Sequence, residues 1–465
     1  MTSLFSNALL MLVLLALQPL AQAGVLATHP GRWLGELRLP DGPTLRLGAE
    51  LYTRADGSPW ASVASPDQGA LDIPVTAVRE DGETLTLTLP FAVFTLTWAN
   101  DRFKGVWQQG EAPLAFELRK VEEFPMALRP QTPRAPFPYR EETLAIGTAG
   151  GVALGATLSM PVGVARPDLV ILVAGSGPHT RDAHLLGHRP FAVLADYLAR
   201  RGIAVLRYDK RGVGRSTGDY EGHTVADLVD DVDGIVRALA ASRRFGRLGL
   251  VGHSEGSSIA AAAAARRPQA VDFVVSLAGP GLRGLDLLLL QDRIWARSHG
   301  ASAAEADRAM AYVRRFYRTV LAHAEPEPRV RALKALHDGL APEDQALIRR
   351  LDMHQGSLSL PWAKKPFLRA SLQADPPAAW RAVRCPVLVL GAGLDHQVPP
   401  AEHLAGIATA LAAGGNRRVE STVFPSLNHL FQTASTGRED EYGGIDETLA
   451  PAAMERIRRF VDARP

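Results

Sequence analysis

The chain has 465 residues, 46% of them hydrophobic and 22% charged, which excludes a disordered or fibrous protein and leaves room for two or three folded units. Lys and Arg total 51 against 49 Asp and Glu, a net charge of +2, and the basic residues are scattered doublets such as Arg200-Arg201 and Arg417-Arg418, not the stripe that nucleic acid requires. A single cysteine, Cys385, excludes an intrachain disulfide and a cysteine-based zinc cage.

The first segment is an apolar run, Leu9 to Leu17, followed by Ala21-Gln22-Ala23. This pattern predicts a signal peptide over residues 1–23, cut before Gly24, and an exported protein, periplasmic or secreted. No Lys or Arg precedes the run, so the α-amino group is its only positive charge. The run is too short to span a bilayer, which takes about 20 apolar residues. Leu287 to Leu290 is flanked by charges and is expected to be a buried helix face, so no stable membrane span is expected.

Residues 24–121 predict an all-β domain. Alternating runs at Trp33–Leu39, Thr44–Tyr52, Thr84–Leu89 and Phe91–Trp98 are separated by turn signals such as Asp41-Gly42 and Asp81-Gly82. A small antiparallel barrel or sandwich is expected, without a catalytic constellation. Five prolines between Pro125 and Pro138 then mark a stiff linker over residues 122–140.

Beyond the linker the pattern alternates strand and helix. Strands are predicted over 168–174, 203–208, 248–252, 271–277, 387–391 and 419–424, and helices over 191–200, 225–241, 254–266 and 452–461. Apolar strands alternating with helices imply a mostly parallel sheet covered on both faces, formed by residues 141–281 and 381–465. Residues 282–380 carry only helical signals. Ala306, Met310, Val313, Tyr317 and Val320 share one face, and the segment is expected to be a helical lid over a pocket.

Ligands on such sheets sit beyond the carboxyl ends of the strands. At one of these ends stands Gly252-His253-Ser254-Glu255-Gly256, a G-x-S-x-G sequence between a predicted strand and a predicted helix. A sharp turn there exposes the Ser254 hydroxyl as a nucleophile. Serine needs a base, and His429, after the last predicted strand, is placed to serve. His253 would point off the turn, and His396 adjoins Asp395. The imidazole needs a carboxylate partner. Asp395, after strand 387–391, fits the order Ser, Asp, His, with Asp375 the weaker alternative. The tetrahedral intermediate needs N–H donors. Glu255 N–H is one, and Ser176 N–H, in the glycine-rich Gly175-Ser176-Gly177-Pro178, is the second.

These residues resemble the α/β-hydrolase superfamily. Within it the chain is similar to bacterial serine carboxylesterases with an N-terminal β domain and a helical lid. The matching pieces are Gly175–Pro178, Tyr208–Ser216, Gly252–Gly256, Asp395–Pro399 and Asn428–Phe431. The resemblance runs from about residue 140 to the end, and Gly31–Gly35 fits the subgroup more loosely. It implies carboxylesterase activity with Ser254, Asp395 and His429 as the triad.

Other motifs yield to simpler readings. Gly212, Gly214 and Gly218 have the wrong spacing for a dinucleotide fingerprint. Asp209 and Arg211 are expected to brace loops. Asp227, Asp230, Asp231 and Asp233 are expected to share a solvated helix face. His179, His184 and His188 lack the further ligands of a metal site, so neither metal nor cofactor is expected. The expected partner is a small-molecule ester. A peptidase or thioesterase using the same triad is the alternative function, and a non-catalytic binding protein on a hydrolase scaffold is the reading from another class.

Overall fold

The computed structural model describes residues 24–463 except Asp41, Glu111, Ala127, Leu128 and 354–357. The expected signal peptide lies outside the described residues. The chain divides into two compact units, the first over 24–52, 59–64 and 75–124, and the second over the remainder.

The β unit belongs to a single antiparallel sheet of nine strands: β1 (Gly31–Arg38), β2 (Thr44–Thr53), β3 (Pro59–Ser65), β4 (Ala70–Ile73), β5 (Ala77–Asp81), β6 (Thr84–Thr88), β7 (Val93–Ala99), β8 (Arg102–Gln108) and β9 (Leu114–Val121). The order is β4-β3-β2-β1-β9-β8-β7-β6-β5. The expected antiparallel β character is present, but as one curled sheet and not two facing ones. Alternation directs the packing, because successive side chains point to opposite faces. In β8, Phe103, Gly105 and Trp107 face inward while Lys104, Val106 and Gln108 face out. Trp33 packs edge-on against Phe103 with centroids 4.8 Å apart.

The second unit carries β10 (Tyr139–Gly147), β11 (Ala153–Pro161), β12 (Leu169–Val173), β13 (Ala204–Tyr208), β14 (Leu248–His253), β15 (Phe273–Leu277), β16 (Val387–Ala392) and β17 (Val419–Phe424). Their order is β10-β11-β13-β12-β14-β15-β16-β17. β10 and β11 form an antiparallel hairpin, β11 meets β13 antiparallel, and every later pair is parallel. β12, β13 and β15 are buried along their whole length, which is why they read as unbroken apolar runs. Their alternate residues feed two cores. Leu169, Ile171 and Val173 join the core under helices 225–242, 255–266 and 400–413, whereas Val170 and Leu172 join the core under helices 190–199 and 451–462.

Between β15 and β16 the chain leaves the sheet for seven helices among the described residues of 284–382. The first six close around a core of their own, with Met310, Val313, Phe316, Tyr317 and Leu333 fully buried, whereas Trp380 of the seventh joins the core of the sheet. The proline-rich segment is not a free spacer. Gln131 accepts Thr448 N–H at 2.6 Å and Leu449 N–H at 3.0 Å, and donates to Leu449 O at 2.8 Å. No helix among the described residues is long and apolar enough to cross a membrane.

Two expectations change. Asp231 does not share a solvated face: it is buried, accepts two hydrogen bonds at 2.8 Å from Arg211 and one at 2.9 Å from Thr148. The 3.6-residue period turns it inward while Asp230 and Asp233 pair with Arg266 and Arg267 outside. The run Leu287–Leu290 is only partly buried, and Leu287 and Leu288 line a cavity.

Candidate active site

β14 delivers Ser254 at its carboxyl end, and the helix Glu255–Arg266 starts at the next residue. Ser254 has φ +54° and ψ −126°, backbone that an L-residue adopts only under strain. Its N–H is held by Leu277 O at 2.8 Å. The turn also brings helix and sheet together. A Cβ on Gly252 would sit 2.3 Å from Gly256 O, and one on Gly256 would sit 2.1 Å from Val173 O. Only glycine fits at either place, which accounts for both glycines of the pentapeptide.

Asp395 stands just past β16, and His429 in the loop after β17. His429 Nδ1 donates to Asp395 Oδ2 at 2.7 Å. The other carboxylate oxygen accepts Gln397 and Val398 N–H, each at 2.8 Å. Burial pushes the Asp395 carboxyl up, but His429 and those two N–H groups outweigh it and hold the carboxyl below the usual range. Asp395 is thus an anion that fixes the ring and its tautomer, leaving the His429 Nε2 lone pair free. The loop carrying His429 is held by its own hydrogen bonds: buried Asn428 accepts Leu430 and Gln432 N–H, each at 3.0 Å. Asp375 is engaged elsewhere, capping Ala378 N–H at 3.1 Å and pairing with Arg283 at 3.1 Å.

Ser254, His429, Ser176 and Glu255 line one cavity of about 600 Å³. Its walls are mainly apolar: Leu185, Phe191 and Leu194 on the body side, Leu287, Leu288, Trp362 and Phe367 from the helical insertion. The insertion therefore forms part of the chamber, as a lid does. Glu255 opens its helix, so its N–H has no intrahelical acceptor. Ser176 follows β12, and its carbonyl accepts His179 Nε2–H at 2.7 Å. Among the described residues no group of three or more His, Cys, Asp or Glu is arranged to hold a metal ion.

Residues 169–433 match the family described as serine aminopeptidase, S33, or Hydrolase_4. The chain belongs to this family. A relative among curated proteins is the esterase EstD of Thermotoga maritima, 23% identical over 273 residues, 59% of this chain and 57% of the relative. The chain thus spans little more than half of that relative's length. Among solved structures, the Pyrococcus furiosus esterase Pf2001 is 16% identical with TM-score 0.42, covering 73% of this chain and 98% of its own. Est1E of Butyrivibrio proteoclasticus, with ferulic acid bound, is 17% identical with TM-score 0.41, covering 68% and 97%.

Reading motifs singly misses three residues of this S33-family site. His253 does leave the turn as expected, but it lands on the loop that carries His429: its Nε2 donates to His429 O at 2.9 Å. Burial, with His429 adding, pushes its pKa down to about 3, so the ring is neutral. His179 fixes the Ser176 carbonyl. Lys210 is fully buried and lies 3.8 Å from the Glu255 carboxylate. A lysine inside a strand-end motif was the available signal, since a buried amine needs a reason. The bracing role expected of Asp209 is borne out: its carboxylate accepts Arg181 N–H at 2.7 Å and Arg215 N–H at 3.0 Å.

Proposed function

We propose that this protein is a serine esterase acting on carboxylic esters with apolar acyl groups. Ser254 Oγ attacks the ester carbonyl while His429 Nε2 takes its proton. Asp395 steadies the imidazolium, and the N–H groups of Ser176 and Glu255 hold the oxyanion. Collapse of the tetrahedral intermediate breaks the ester bond. The alkoxide takes the proton from His429 and leaves as alcohol. Water, deprotonated by His429, then attacks the acyl group on Ser254. A second collapse returns the proton to Ser254 and frees the acid.

The observation that carries this reading is a strained serine opening into an apolar chamber shared with an Asp-anchored histidine. The description of EstD as an esterase supports it. The family description makes an aminopeptidase the second reading. A peptidase that trims free amino termini needs a carboxylate at the chamber wall. The carboxylates lining it are Glu255, beside Lys210, and the exposed Glu439. In the lid, Glu305 pairs with Arg350 and Glu327 with Lys364, and neither lines the chamber. The lid glutamates therefore offer no such group, and Glu439 is the wall carboxylate that the peptidase reading would use.

A fluorophosphonate should label Ser254, and Ser254→Ala should abolish both labelling and ester turnover. Retained turnover in Ser254→Ala would overturn the proposal, and faster hydrolysis of aminoacyl amides than of aryl esters would favour the peptidase. Export is proposed on Leu9–Ala23, and a mature chain starting at Gly24 by mass spectrometry would support it.

A further inference from the structure

The loop that supplies Ser176 is clamped from the loop after β13. Lys210 Nζ donates to Gly175 O, and Lys210 N–H donates to His179 O at 3.2 Å. One residue thereby holds both ends of the loop 175–179. The loop lies tight against the serine, since a Cβ on Gly175 would sit 3.1 Å from Ser254 Cβ.

The peptide plane carries the consequence. The only cis peptide among the described residues is Ala135–Pro136, so the Gly175–Ser176 peptide is trans. In a trans peptide the C=O of one residue and the N–H of the next point in opposite directions. Pinning Gly175 O to a fully buried amine therefore turns Ser176 N–H the other way, toward the chamber that Gly175 and Ser176 line. His179 fixes the next carbonyl along, so both sides of Ser176 are tied.

The same amine answers a charge problem. Glu255 directly follows the nucleophile, and an uncompensated carboxylate there would oppose a developing oxyanion. Its Oε2 is buried with no hydrogen-bond partner, and Lys210 Nζ is 3.8 Å away. Burial lowers the amine's pKa, and the Glu255 carboxylate beside it works against that.

We propose that Lys210 is a positioning residue for the oxyanion site, orienting the Ser176 N–H through Gly175 O and neutralising Glu255 beside the nucleophile. This rests on the esterase reading given above. The test compares Lys210→Met, which removes donor and charge, with Lys210→Gln, which keeps an N–H donor. Each is assayed on 4-nitrophenyl butyrate and against an aryl trifluoromethyl ketone, whose adduct with serine carries an oxyanion.

In Lys210→Met, kcat and inhibitor affinity should both fall about 100-fold, with KM within threefold, the size of losing an oxyanion donor. Lys210→Gln should recover at least tenfold of both. A Lys210→Met enzyme with kcat within threefold of the parent, or one that loses kcat while keeping inhibitor affinity, would overturn the proposal. If Lys210→Met does not fold, the double variant Lys210→Gln/Glu255→Gln replaces it. With a neutral hydrogen-bonding pair, kcat within tenfold of the parent is expected, and a thousandfold loss would overturn the assignment. Turnover surviving in Ser254→Ala would instead remove the esterase reading itself, so the two failures are distinct.

Discussion

His253 Nε2 lies 2.9 Å from the carbonyl oxygen of His429, and the two rings are 4.9 Å apart. The residue before Ser254 thus tethers the loop that carries His429. The carbonyl can only accept, so His253 must keep its proton on Nε2. His253→Phe keeps a ring of similar size without the donor. Its kcat on aryl esters should fall about tenfold, because a small misplacement of a base is costly. Stopped-flow labelling by a fluorophosphonate should slow by the same factor, and unchanged labelling would remove the tether.

Asp395 and Asp375 separate cleanly. Asp395→Asn preserves shape but removes the anion facing His429 Nδ1 and favours the wrong tautomer, so kcat should drop by about 10⁴. Asp375→Asn keeps an N-cap for the helix at Pro376 and gives up only a partly exposed pair with Arg283. Ester turnover in that variant should match the parent. Steady-state kinetics on both decide which carboxylate serves.

Much of this site could be read from residue order alone. Strands β12 to β16 are apolar because both faces are covered, whereas the edge strand β17 is not, and G-x-S-x-G between strand and helix places its serine at the turn. The residues that escaped notice act through the third dimension. Asp231 looks like its helix neighbours until Arg211 arrives from the loop after β13. Lys210 looks like a surface lysine until β13 is placed beside β12. The strands of the β unit were harder, since β3, β4, β5, β8 and β9 carry weak alternation or a polar outer face. The hairpin β10–β11 follows the prolines closely and was hidden by them.

Breaking the Asp231 contact should show in stability and not in chemistry. Asp231→Ala leaves Arg211 buried with Asp227 as its remaining partner, at 2.9 Å. Removing one side of a buried pair costs about 3–5 kcal/mol, and the surviving carboxylate favours the lower end, about 3 kcal/mol. Urea unfolding should show that loss, while KM for aryl esters in the folded fraction should not move.

Acid should weaken the fold well above the carboxylate range. Burial pushes His179, His184 and His403 down to about 4, and His253 to about 3. An unfolded histidine titrates near 6.5. The sign follows from which state binds the proton: between about pH 6.5 and 4 the unfolded chain takes up protons that the folded one refuses. The stability these neutral rings contribute is complete above pH 6.5 and is lost as pH falls toward 4. Urea midpoints should therefore decline steadily from pH 7.5 to 4.5. His403→Asn, which removes a ring whose Nδ1 accepts Gly281 N–H at 3.0 Å, should lower the parent's stability but flatten this decline by about one proton. An equal slope in parent and variant would show that His403 is protonated in the fold.

The lid side of the chamber should set the acyl length. Leu287, Leu288, Phe191 and Leu194 line the same largely apolar space of about 600 Å³. Burying a methylene is worth about 0.8 kcal/mol, or about fourfold in kcat/KM when the transition state keeps the contact. Along a series of 4-nitrophenyl esters, kcat/KM should climb by up to that factor per carbon until the chamber is full, then level off. Leu287→Trp occupies part of the space from the lid, so its plateau should arrive at a shorter acyl chain, with acetate turnover nearly unchanged. A plateau at the same length in both proteins would place the acyl group elsewhere and leave the lid as cover for the leaving alcohol.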